Sequence, residues 1–237
     1  MTHFDKQIVY NADESHFIEG GFFMYTIKSQ SNVCSIVGMP AYRLDTDLPD
    51  LLRQEIGKYI EREIRHAIQE GYTIFRVGMD LGADIWAAEF VAALRDRHFP
   101  HIQLHCHLPC ETQANNWPEP WRELYFNTLA TADEVYYLKR RFTRGCMARR
   151  MQKMIAGSAK LIAVHDNLAE GSVAHAIAYA EWLGIEAEVI RPFEGPDAPA
   201  AVREALRRTP CNQINDQIRS TYSVGFSTSM SAIRRAW

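Results

Sequence analysis

An α/β class, a Rossmann-like three-layer domain with a mainly parallel sheet, is what this sequence predicts, and three observations predict it. Short apolar segments closing on glycine or a polar turn alternate with longer segments of helical period. The apolar segments are nearly continuous rather than alternating, as strands buried on both faces must be. The stretch Gly78–Phe90 shows the repeating unit most clearly. Before it, Tyr72-Thr-Ile-Phe-Arg-Val77 is rich in β-branched and aromatic residues. After Gly82, apolar side chains fall at Ala83, Trp86, Ala87, Phe90, Val91 and Leu94, which is one buried stripe of a helix. A helix start placed over a strand end turns unpaired amides and the positive end of the macrodipole outward, a favourable place for phosphate or carboxylate. The same glycines equally serve a tight turn with close helix packing.

In chain order, residues 1–30 form an N-terminal extension in which Gly21–Ile27 reads as an edge strand. Residues 31–192 make the α/β domain. Val33–Gly38 is its first strand, followed by a helix whose Leu52, Ile56, Tyr59, Ile60, Glu63, Ile64 and Ala67 share one face with a single polar exception. Ile102–Leu108 is the third strand. The helix at Pro118–Ala130 has Trp121, Leu124, Tyr125 and Leu129 inward, and Pro118 and Pro120 suit its first turn. Glu134–Leu138 precedes a helix at about Gly145–Gly157 with Met147, Met151, Met154 and Ile155 on one side. Lys160–His165 leads through Gly171 and Ser172 into a helix bearing Val173, Ala176, Ile177 and Ala180, and Ile185–Ile190 is the last strand. Residues 193–237 add one helical piece at about Pro199–Arg208 and a Ser/Thr-rich polar tail. In such sheets ligands bind outside the carboxyl ends of the strands, so Gly38–Arg43, Gly78–Asp84 and His165–Ser172 are the candidate loops.

With 237 residues, 47% of them hydrophobic, the chain can bury one sizeable core. A net charge of −3 advertises neither nucleic acid nor an anionic membrane, so any basic site must be local. No signal peptide or membrane-spanning apolar run is apparent, and five scattered cysteines point to a reduced, cytoplasmic protein.

Three constellations could carry chemistry. The glycine-led helix starts at Gly82 and at Gly171-Ser172 come first, with Ser172 able to cap its helix or offer a hydroxyl to a ligand. Next is a basic block, Lys139, Arg140, Arg141, Arg144, Arg149, Arg150 and Lys153, with no acidic residue among them. Such a block is either a solvated helix face or a source of bidentate phosphate contacts. Last, His101, His105, Cys106, His107 and Cys110 invite a zinc reading, but strand alternation sets Cys106 opposite His105 and His107, so no metal is expected. GxGxxG, GxxxxGK[ST], GxSxG and HExxH are all absent.

The pieces GMDLGADIWAAE (78–89), LPCETQANNW (108–117) leading to Tyr125, ADEV (132–135), FTRGCMARR (142–150), SAKLIAVHD (158–166) and EGSVAHAIAYAEWLG (170–184) resemble the YpsA-like branch of the SLOG superfamily. Its other branches are the LOG phosphoribohydrolases and the DNA-processing protein DprA. The resemblance covers roughly Cys34–Pro192 and implies a Rossmann-like domain that binds a nucleotide or a nucleotide-derived ligand such as ADP-ribose, often in stress or anti-phage settings. The chain departs from the family pattern in four places: Val37-Gly38-Met39-Pro40 stands for Thr-Gly-His-Arg, Arg150-Met151 for Arg-Asn, Ala156 for an acidic residue, and Glu170-Gly171-Ser172 for Gly-Gly-Thr. The turns are kept while side chains suited to acid or base work are lost, which favours binding over catalysis, or a different ligand.

Two main expectations follow. One is a sensor or binding module for a nucleotide-derived small molecule, with no cofactor. Gly38, Gly78, Gly82 and Asp84 would lie on one side of the ligand, Gly171 and Ser172 on the other, and Arg149 or Arg150 would reach phosphate. The other is an N-glycosidase in which Asp84 or Glu89 stabilises a ribosyl cation, although the LOG motif PGGxGTxxE is missing at Glu170–Ala174. Glu89 lies five positions beyond Asp84, about 140° around a helix, so the two carboxylates cannot converge on one reacting atom. DNA binding of the DprA type ranks last because one basic helix is a small electrostatic footprint. No membrane partner is expected, and self-association stays open.

Overall fold

The computed structural model describes residues 8–10, 31–40, 49–165 and 171–192. The expected strand at Gly21–Ile27, the helical piece at Pro199–Arg208, the polar tail, and parts of the first and third candidate loops lie outside the described residues. Within them the chain alternates strand and helix: β1 (Ile8–Tyr10), β2 (Val33–Val37), α1 (Pro49–Gln69), β3 (Ile74–Val77), α2 (Ala83–Arg97), β4 (Gln103–Cys110), α3 (Glu119–Thr131), β5 (Glu134–Lys139), α4 (Cys146–Ala156), β6 (Lys160–Val164), α5 (Ser172–Trp182) and β7 (Glu186–Ile190). The strands form one sheet in the order β1-β5-β4-β3-β2-β6-β7, and every pairing is parallel. Sequence pattern did not indicate β1, because three residues carry too little of it to mark a strand.

β2 and β6 feed two cores. Cys34 and Ile36 of β2, Ile162 and Val164 of β6, and Phe75 and Val77 of β3 join Ile56, Ile60 and Ile64 of α1 and Ala87 and Val91 of α2 in one cluster. Val37, Leu161 and Ala163, at alternating positions on β2 and β6, face Met151, Met154 and Ile155 of α4 and Val173, Ala176 and Ala180 of α5. The helices thus divide into two layers, α1 against α2 and α2 against α3 on one face, α4 against α5 on the other. In β2 and β6 burial on both faces explains why the strands read as continuous apolar runs.

β4 departs from that rule. Leu104, Cys106 and Leu108 enter the first core, whereas His105 and His107 turn to the other face and meet the ring of Tyr136 at 5.9 and 4.7 Å. Among the described residues no three His, Cys, Asp or Glu side chains come together as a metal site. Met147 corrects the expected inward face of α4: Met151, Met154 and Ile155 are buried, but Met147 is 36% exposed. It shares their face by period, yet it sits in the first turn, next to a connection exposed at Arg140, Arg141, Phe142, Arg144 and Gly145.

The sheet reverses at β2, with β3 on one side and β6 on the other. The carboxyl ends of β2 and β6 therefore flank the switch point, where a ligand crevice is expected in such sheets.

Candidate functional site

Gly38, Gly78, Gly82, Asp84 and Arg150 converge at the carboxyl ends of β2 and β3. The chain leaving β3 passes through Met79, a non-glycine residue at φ 56°, and Gly82 at φ 136°, before α2 begins. A φ of that sign at Gly82 is open to glycine and costly to any residue with a Cβ. The segment leaving β2 packs on this turn: Pro40 bridges Gly82, and the Ala83 amide donates to the Met39 carbonyl at 3.0 Å. A Cβ on Gly38 would stand 2.7 Å from the Ala83 backbone, so only glycine lets the two segments approach this closely.

Asp84, in the first turn of α2, is 2% exposed and accepts hydrogen bonds from the Gly38 amide at 2.5 Å and the Asp80 amide at 3.2 Å. Both carboxylate oxygens are therefore engaged in tying the two loops together. Burial, then the nearby Asp80 carboxylate, push its pKa up from the usual carboxylate range, while Arg150 and the two amides pull it back. Arg150 reaches this point from α4 on the opposite layer. Its guanidinium is ion-paired with Asp80, and the residue is 3% exposed. A Cβ on Gly78 would overlap that guanidinium and stand 2.9 Å from Asp84 Oδ2. Gln113, just past β4, completes the group by donating through Nε2 to the Met79 carbonyl at 2.9 Å and to Asp80 Oδ1 at 3.1 Å.

The start of α2 is consequently closed, and that of α5 is open among the described residues. Gly171 caps α5 at φ 152° with no side-chain capping bond, and among the described residues a Cβ there would meet nothing within 4 Å. Ser172 is exposed as the first residue of the helix, so it does not cap it. Val173, in the same turn, packs in the cluster that holds Val37 of β2 and Met151 of α4. The α5 start thus stands beside the end of β2, at the switch point.

Two further residues stay apart from this group. Arg149 is exposed and donates from Nη2 to the Arg144 carbonyl at 3.2 Å, while Glu89 pairs with Arg53 of α1 at 2.8 Å. Asp80 and Gln113 were not singled out from sequence, although both lie inside the family-like motifs. A polar residue within a turn motif was the available signal.

His107 is a second polar feature at the same end of the sheet. Burial, followed by the positive charges of Arg76, His105 and Arg150, holds its pKa well below the ordinary imidazole value, and its Nε2 is sealed from solvent without a hydrogen-bond partner.

A doubly wound parallel sheet with glycine-led helix starts at its carboxyl edge defines a Rossmann-like α/β protein with its candidate site at the switch point. The YpsA family model, described as the YspA SLOG family, matches residues 49–193, more than half of the chain, and the chain belongs to that family. Among curated relatives, a UPF0398 protein of Halalkalibacterium halodurans is 32% identical over 128 residues, spanning 53% of this chain and 67% of that one. A UPF0398 protein of Shouchella clausii is 31% identical over 128 residues, spanning 53% and 68%. Among solved structures, DNA processing protein A from Helicobacter pylori, studied for its single-stranded DNA binding mode, matches with a TM-score of 0.47 and 18% identity over 82% of this chain and 83% of that one. No helix among the described residues is long and apolar enough to cross a membrane.

Proposed function

We propose that this SLOG domain binds a nucleotide-derived small molecule carrying phosphate, of the ADP-ribose type, and does so without turning it over. The observation that carries the reading is the N-terminus of α5, without a side-chain cap and unobstructed among the described residues, beside the end of β2, at the point where the strand order reverses. Free amides and the positive end of the helix dipole favour a phosphate there, and the exposed Ser172 hydroxyl can add a hydrogen bond. The Gly38, Gly78, Gly82, Asp84, Arg150 cluster then serves as the rigid opposite wall. The phosphate lies closer to Gly171 than to Gly82, whose helix start is occupied by Met39.

Absence of turnover is supported by the two candidate carboxylates. Asp84 is buried with both oxygens engaged by backbone amides, and Glu89 is tied to Arg53, so neither is presented to a glycosidic bond.

The test has two parts. Natively purified protein is denatured and its released small molecules are identified by mass spectrometry, and the thermal shift with ADP-ribose and AMP is compared among wild type, Gly171→Ala and Gly171→Trp. The alanine variant carries the backbone strain of a positive φ without bulk. The reading expects its shift to survive while that of the tryptophan variant vanishes. An undiminished shift in Gly171→Trp removes the α5 start from the site.

A further inference from the structure

A second place at the carboxyl edge gathers polar atoms that the phosphate reading leaves unused. β4 sends the chain to α3 on one face of the sheet, and its neighbour β5 sends it to α4 on the other. A crevice is expected where adjacent strands part in this way. Cys110 pairs with Lys139, so the two connections leave the sheet side by side. Gln113 lies on the first and Thr143 on the second, and both are half-buried.

Asp80 ties Gln113 to Arg150, one carboxylate oxygen to each. The Thr143 carbonyl takes the Cys146 amide at 3.0 Å, one turn of α4 before Arg150. Val77 pairs with Cys106, so Gly78 and His107 follow on neighbouring strands, and the Arg150 guanidinium lies over Gly78. Among the described residues Gln113 Oε1, Thr143 Oγ1, His107 Nε2 and Arg150 Nε are buried without a hydrogen-bond partner, and the Arg150 side chain is 4% exposed. Buried polar atoms of this kind cost free energy unless something completes them. The Gln113 amide cannot be turned round to escape, because Nε2 already donates to two acceptors, the Met79 carbonyl and Asp80 Oδ1.

The donors and acceptors say what would complete the set. Arg150 Nε only donates, Gln113 Oε1 only accepts, and Thr143 Oγ1 does both. His107 is held neutral by burial and by the charges of Arg76, His105 and Arg150, so its Nε2 does one or the other. A phosphate would meet the Gln113 oxygen and the carboxylates of Asp80 and Asp84. An ammonium group would meet Arg150. A nucleobase needs a ring on which to stack, and Tyr136 already carries His107 at 4.7 Å. Hydroxyl groups, which both give and take hydrogen bonds, suit every member.

We infer that this crevice binds the hydroxyls of a sugar carried beyond the ligand's phosphates, with Gln113, Thr143 and Arg150 as partners. The inference rests on the small-molecule reading above and extends it. From the end of β2, beside the start of α5, the crevice lies two to three strands away, ~10–15 Å, within reach of a sugar joined to a diphosphate.

The experiment is calorimetric titration of the full chain with ADP-ribose and with ADP, which lacks the terminal sugar. ADP-ribose should bind ~10-fold more tightly than ADP, as two added hydrogen bonds allow. Thr143→Val keeps the shape of the side chain and removes its hydroxyl. It should weaken ADP-ribose ~5-fold, as loss of one hydrogen bond does, leave ADP unchanged, and melt no lower than wild type. Gln113→Met should bring the affinities for the two compounds together. ADP-ribose bound no more tightly than ADP overturns the inference, leaves the phosphate reading standing, and means that water alone completes these atoms. Thr143→Val that weakens both compounds equally, or neither, also overturns it. If neither compound binds, the phosphate reading falls and the sugar crevice falls with it.

Discussion

Gly78→Ala adds a single methyl group where the sheet, α2 and α4 meet, and its cost follows from what that methyl strikes. The added carbon would overlap the Arg150 guanidinium, stand 2.5 Å from its Cζ and 2.9 Å from Asp84 Oδ2. An arginine tip usually yields at small cost, but this one is 4% exposed and ion-paired with Asp80, so displacement breaks the pair and leaves a buried cation without it. Overpacking alone costs ~1–3 kcal/mol. Breaking a fully buried pair costs ~3–5 kcal/mol, but the Asp80 side chain is 32% exposed and water recovers part of that. The expected total is ~3 kcal/mol.

The backbone itself is no obstacle, since Gly78 is not among the glycines at positive φ. Alanine there would even gain ~0.4–1 kcal/mol from the unfolded chain if the space were free. A double-mutant cycle isolates the collision. Measured by urea unfolding, Gly78→Ala should cost ~3 kcal/mol in wild type and close to nothing in Arg150→Ala, a coupling of ~2–3 kcal/mol. Equal cost in both backgrounds would refute the account of Arg150 as the residue that requires Gly78.

Gly38→Ala meets the Ala83 backbone at 2.7 Å rather than a side-chain tip, so it should cost at least as much as Gly78→Ala and should not be relieved by Arg150→Ala. His107→Phe keeps the stack on Tyr136 and removes a ring nitrogen that is sealed without a partner. Because the folded pKa of His107 lies below that of the unfolded chain, folding excludes a proton and stability falls as pH drops below ~6.5. The phenylalanine variant should lose ~1.4 kcal/mol per pH unit of that acid slope between pH 6.5 and 5, and parallel unfolding curves at pH 5, 6 and 7 would count against it. Arg150→Ala should weaken ADP-ribose binding in calorimetry more than Arg140→Ala, because it removes the wall that positions Asp80 and Asp84, whereas Arg140 lies on the surface. Incubation with AMP, ADP-ribose and NAD should release no free base; release that disappears in Asp84→Asn would make the chain a hydrolase.

Most of the sheet and the five helices among the described residues were legible because their burial is periodic. Ile56, Ile60 and Ile64 on α1, and Met151, Met154 and Ile155 on α4, sit where spacing put them. Gly78 and Gly82 were legible as a turn, but spacing could not tell that the Met39 carbonyl would take the first amide of α2 and leave α5 as the open helix start. That choice is made by β2 lying next to β3, a fact of strand order rather than of local sequence. Asp80 and Gln113 were missed for the same reason. Their partners are Arg150, seventy positions away, and the Met79 carbonyl, thirty-four positions away. The exposure of Phe142 and Met147 was hidden too, since period alone assigned Met147 to a buried face.

A phosphate-bearing ligand at the start of α5 is the central claim, and amide chemical-shift mapping tests it at that place. Isotope-labelled protein is titrated with ADP-ribose, AMP and NAD, and the backbone signals of Gly171, Ser172, Val173 and Ala174 are followed. The account predicts saturable shifts that are largest at these four amides, with smaller ones at Gly38 and Met39. Saturable shifts that leave the α5 start unmoved, or no saturable shift with any of the three compounds, would contradict it.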